Sequence, residues 1–180
     1  MWLSDKNFHD ILYSQLFSVA AGLLAGLALF SYKQELFLLP GLLILLPGFL
    51  EMRGSISGSF ASRISSGLFL GVISHEKLNT RLIRSNLIAS FALALLVSFA
   101  LGTIASLFTF FFSGAIYLEI IVIAVLAGLI ANAIEIPIAL FSTFYLFRKG
   151  HDPNNVIGPF ILSTGDLVSI LSLMVAVAVV

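Results

Sequence analysis

Five apolar stretches, each long enough to cross a bilayer, dominate this chain and restrict it to a membrane-embedded fold. A spanning helix takes about 20 mainly apolar residues. The chain offers such runs at about 11–32, 36–73, 82–112, 116–147 and 155–180. Inside hydrocarbon each segment must satisfy its own backbone polar groups, so these runs are expected to be α-helices. Only 10% of the 180 residues are charged while 59% are hydrophobic. A soluble domain carries roughly a quarter charged residues. The expectation is one all-α transmembrane domain over residues 1–180, multi-pass in the cell membrane, with the bilayer as its surroundings.

Charge and composition remove several function classes. Nine basic and nine acidic residues cancel, leaving no excess positive charge for a nucleic-acid partner. The absence of cysteine excludes disulfides, zinc–thiolate sites and thiol catalysis. There is no G-x-S-x-G, no P-loop and no H-E-x-x-H, and no histidine pair has transition-metal spacing, so neither an enzyme nor a bound cofactor is expected. The opening "MWLSDKNFHD" has no basic n-region, so the first run reads as a retained helix rather than a cleaved signal. Lys6, Lys77, Arg81, Arg84, Arg148 and Lys149 flank one set of segment ends, and Lys33 alone flanks the other. That bias places the N-terminus inside and, with five spans, the C-terminus outside.

The second run would measure about 57 Å as a single helix, well beyond a hydrocarbon layer of about 30 Å. Interruptions are expected at Pro40, Pro47 and glycines 41, 48, 54 and 58, and in the fourth run at Pro137. Gly22 and Gly26 in the first run have the G-x-x-x-G spacing of tight helix contact. "HDPNN" at 151–155 suits a turn capping the last helix. His9 and His75 read as surface residues.

The polar residues within these runs are the candidates for chemistry. In "STGDLVSI" (163–170), Asp166 lies roughly 16 Å into the last helix. A lone charge at that depth costs at least about 2.5–3.5 kcal/mol on insertion scales and marks an ion path or a buried partner. Gly165 allows close backbone approach, and Ser163, Thr164 and Ser169 add oxygens; each of these small residues equally suits helix packing. In "ANAIEIPIA", Asn132 and Glu135 share a helix face, and Pro137 frees a carbonyl near Ala133. Carboxamide, carboxylate and free carbonyl together suit a hard, oxygen-seeking cation. An interhelical hydrogen bond for Asn132 and a solvated cavity for Glu135 are the structural alternatives. In "GFLEMRGSISGSFASRIS", Glu51 and Arg53 read as partners in an ion network within the protein, with a pore-mouth acid as the alternative for Glu51. Ser55, Ser57, Ser59 and Ser62 form either a packing face or a pore lining, and Arg63 snorkels to the interface.

Three stretches carry a family resemblance across all five runs. "MRGSISGSFASRISSGLFLG" (52–71), preceded by Pro47, "ANAIEIP", and "GHDPNNVIGPFILSTGDLVSILSL" (150–173) resemble the MgtE-type magnesium transporters and their animal solute-carrier relatives. The D-P-x-N block followed by G-D is the most specific part. The resemblance is to a single five-helix unit without the cytoplasmic sensor domains, and Ser55 stands where the family usually has Asn. It implies that Asp166 binds the permeating cation. The animal relatives resemble two fused copies of such a unit, which implies a homodimer with the pathway on its two-fold axis. The expected function is transport of divalent cations, foremost Mg²⁺, with Asp166, Asn132, Glu135, Ser163, Gly165 and Glu51 as candidate metal ligands. Mg²⁺ keeps most of its water and takes one or two carboxylates, so a pair of Asp166 residues with polar backbone and Asn132 suits it. Facing carboxylates repel, so the empty site is expected to hold a proton or Na⁺. The rival readings are a non-transporting membrane scaffold or assembly protein, and a monovalent H⁺ or Na⁺ pathway.

Overall fold

The computed structural model of the protein describes residues 6–74, 78 and 80–180; His75 and Lys77, which entered the reading above, lie outside them. Six helices follow in order: α1 (Lys6–Ser31), α2 (Lys33–Leu38), α3 (Pro40–Phe69), α4 (Arg81–Ser113), α5 (Glu119–Arg148) and α6 (Pro153–Val179). No strand occurs among the described residues. Four helices are long and apolar enough to cross a membrane: Phe8–Ser31 of α1, and α4, α5 and α6. With 30 residues α3 is also long enough, at about 45 Å, but Glu51 and Arg53 interrupt its middle and Arg63 its last third.

The second run breaks once, at Leu39, where φ −121° and ψ 90° are extended. The cause is Pro40, whose ring disfavours helical geometry in the residue before it and then suits the first turn of α3. Contrary to expectation, α3 continues unbroken through Pro47 and glycines 41, 48, 54 and 58, and α5 through Pro137. Both prolines are on the exposed surface of the bundle. The opposite faces are clamped, by Leu45 and Phe49 on α3 and by Glu135 and Ala139 on α5. Packing on that side holds the helical path despite the lost N–H, as neighbouring helices do in membranes. Pro159 likewise lies inside α6. It leaves the Asn155 carbonyl without its usual partner, and Ser14 Oγ of α1 faces that oxygen at 3.4 Å.

Helix α3 is central and packs against α4, α5 and α6, while α1 lies along α6. The α4–α5 seam is made of small residues. A Cβ on Gly102 would come within 2.8 Å of Ile121 Cα, and one on Gly128 within 2.9 Å of Ser98 Cβ, so close helix approach depends on both glycines. Gly22 and Gly26 behave otherwise: a Cβ at either position would meet nothing within 4 Å, so the spacing in α1 marks no contact within this chain. At the start of α6 the capping expectation holds. Asp152 is the N-cap, its side chain accepts from Asn154 N at 2.9 Å, and Pro153 follows at the first helical position. His151 Nδ1 lies 2.8 Å from Asp10 Oδ2 and ties this turn to α1.

Candidate cation site

Three charged side chains from three helices meet halfway through the bundle. Arg53 of α3 is 2% exposed and forms an ion pair with Glu135 of α5, which is fully buried. Ser57, one turn after Arg53, donates its hydroxyl to the same carboxylate at 2.9 Å from Oε2. On the other side, Arg53 Nη2 stands 3.8 Å from Asp166 Oδ1 on α6. That is too long for a hydrogen bond but close enough for strong electrostatic coupling. The Asp166 side chain is 39% exposed, so it lies at the edge of the bundle while its two partners are inside.

Gly165 explains how an arginine fits between α3 and α6. Any Cβ at this position would occupy the space of the Arg53 guanidinium. The guanidinium therefore passes over the α6 backbone beside Asp166. Taking Arg53 as +1 and the two carboxylates as −1 each, the cluster is one negative charge in excess, and the excess sits on the exposed member.

The remaining candidates divide. Asn132, one turn before Glu135 on α5, is buried, and neither amide atom has a hydrogen-bond partner in the protein; it does not tie helices together. Glu135 Oε1 and Ser169 Oγ are also buried without partners. Ser163 is buried and donates within its own helix, to Pro159 O at 2.8 Å. Glu51 is exposed on α3, two positions from Arg53 and hence on a different face. The structure thus brings Asp166, Gly165 and Glu135 together around Arg53, and leaves Glu51 outside that group. Among the described residues no group of three or more His, Cys, Asp or Glu is placed to hold a metal ion. Ser57 was legible in the sequence only as one serine among several; its i+4 spacing from Arg53 was the available signal.

The surface around Asp166 is unusual for a membrane helix. Glu51, Ser55, Ser59, Ser62 and Ser66 recur at three- or four-residue spacing along α3, and all are exposed. Toward the Pro153 end of α6, Gly58, Ala61, Ser62 and Ser65 of α3 and Asn154, Ile157 and Gly158 of α6 line a cleft of about 160 Å³. Ser65 Oγ in its wall is buried without a hydrogen-bond partner. Leu162 lies between this cleft and Asp166 in sequence, and its Cδ2 packs at the Gly54 backbone.

A helical bundle with four long apolar spans and a charged cluster between its helices is consistent with a multi-pass membrane protein. The chain belongs to the MgtE family, described as divalent cation transporters, whose sequence model matches residues 46–176. The match contains Arg53, Glu135 and Asp166. No curated protein and no solved structure matches the chain.

Proposed function

We propose that the protein moves Mg²⁺ across the membrane as a homodimer, with the ion held between the two copies of Asp166. The observation that carries this reading is the place of Asp166: a carboxylate in the middle of α6, partly exposed at the edge of one protomer. Lipid would solvate neither it nor the hydroxyl stripe of α3. Intramembrane polar residues face a bundle interior or water, and a second copy supplies both. Each protomer contributes one excess negative charge, so two protomers match one divalent ion. A largely hydrated Mg²⁺ needs few direct ligands, so one carboxylate from each protomer can hold it with most of its water retained. In this reading α1, α3, α4, α5 and α6 are the five spans, with the N-terminus inside. The cleft beside Gly58 is then the cytoplasmic approach.

The test is uptake into proteoliposomes, with Mg²⁺ challenged in turn by Mn²⁺, Co²⁺, Ca²⁺ and Na⁺, with and without a pH gradient. Mg²⁺ uptake that divalent ions compete for and Na⁺ does not is the expected result. Flux of H⁺ or Na⁺ alone overturns it in favour of a monovalent pathway, and no flux at all in favour of a scaffold. The route is tested separately by Gly58→Phe. Gly58 lines the cleft and a Cβ there meets nothing within 4 Å, so a side chain can start from this position without a clash. Uptake is expected to slow severalfold, with melting within about 4 °C of the parent. Unchanged uptake would move the approach elsewhere.

A further inference from the structure

We infer that Arg53 is a built-in competitor of the transported cation, and that Glu135 is the positioning residue that holds it back from Asp166. The inference deepens the transport reading and rests on it. A guanidinium is a planar fork that can engage two acceptors in different directions. Here its engagement is unequal. One arm is ion-paired to Glu135 while the other stops 3.8 Å short of Asp166. Ser57 donates to the same Glu135 oxygen that faces Arg53, which fixes the carboxylate in the holding position. Gly165 leaves the guanidinium a seat beside Asp166. At 2% exposure Arg53 is enclosed by the bundle; it can only lean toward one carboxylate or the other.

The consequence concerns release of the ion. A carboxylate pair in a low-dielectric layer would bind a divalent cation tightly and let go slowly. Conduction needs binding strong enough for entry and weak enough for exit. A fixed positive charge beside each Asp166 weakens the bound state, and it offsets part of the Asp166 charge when the site is empty. Arg53 then shares in compensating the unoccupied carboxylate, and the cluster keeps its one negative charge in excess. Glu135 sets how far this goes, because every increment of pairing with Glu135 is taken from Asp166. Its role is therefore on Arg53, and not on the metal.

The two carboxylates can be separated by substitutions with opposite expected signs. Binding is read on the full-length protein in detergent, from loss of the free Mn²⁺ electron paramagnetic resonance signal, and from its recovery on adding Mg²⁺. Glu135→Gln gives Arg53 over to Asp166 and is expected to weaken Mn²⁺ binding about tenfold. The Arg53→Met/Glu135→Gln double variant removes the competitor without stranding a buried charge. It is expected to bind Mn²⁺ about tenfold tighter and to transport more slowly. Arg53→Lys keeps a cation for Glu135 but lacks the second arm, so it is also expected to bind more tightly; it decides alone if the double variant does not fold. Unchanged affinity in these variants means that Arg53 only neutralises Glu135, and overturns the inference. Weaker binding in both Glu135 variants makes Glu135 a direct ligand, and overturns it too. Asp166→Asn is the control: if it still binds Mn²⁺ like the parent, the transport site itself is misplaced, whatever Arg53 does.

Discussion

The Asp166→Asn variant is expected to lose divalent-cation uptake by more than about 100-fold while remaining a folded protein. Changes to groups that only support a metal ligand already cost about 10–100-fold, and this change removes the excess negative charge on which the proposed site rests. Asparagine keeps the shape and a coordinating oxygen, so loss of transport would be a charge effect rather than a cavity effect. Stability is expected to change by no more than about 1 kcal/mol. The Asp166 side chain is 39% exposed and its nearest cation is 3.8 Å away, already engaged by Glu135. The measurement is Mg²⁺ uptake into proteoliposomes beside a thermal melt of the same preparation. Transport at the parental rate would remove Asp166 from the pathway. A collapsed melt would instead make it a structural partner of Arg53.

Arg53→Ala has the second large effect, and it falls on folding. Glu135 is completely buried and its charge is balanced by Arg53, with one hydroxyl from Ser57 in addition. Breaking a buried ion pair from one side costs about 3–5 kcal/mol, because the remaining charge is stranded. A marginally stable bundle does not absorb that easily. The expected outcome is little monodisperse protein after extraction. Adding Glu135→Gln to Arg53→Ala is expected to recover most of it, since replacing both members of a buried pair is often close to neutral. Yield and melting temperature of the single and double variants read the coupling directly. If Arg53→Ala is as stable as the parent, the ion pair does not hold α3 to α5.

Much of this arrangement was legible from the residues, and the limits have physical causes. Apolar run length gave the all-helical class, because backbone in a bilayer must satisfy its own polar groups, but not the break at Leu39 that divides the second run. The Asp152–Pro153 cap and the depth of Asp166 follow from local chemistry that needs no tertiary contact. Helix continuity through Pro47 and Pro137 was not legible, since it depends on which face of each helix is packed. Nor was the pairing of Glu135, because its partners Arg53 and Ser57 come from another helix, the latter 78 positions away. Asn132 and Glu135 share a face and both looked like cation ligands by type. Only the packed bundle separates a carboxylate engaged by arginine from a carboxamide without a protein partner.

The charged middle of α3 also bears on how such a protein is made. Glu51, Arg53 and Arg63 each oppose partition of this segment into lipid, by about 2.5–3.5 kcal/mol for a centrally placed arginine. Arg53 acquires its counter-charge from α5, which the ribosome delivers some eighty residues later. During synthesis α3 has every reason to linger beside the translocon or at the water boundary, and to settle into the bilayer only as part of a preassembled hairpin cluster.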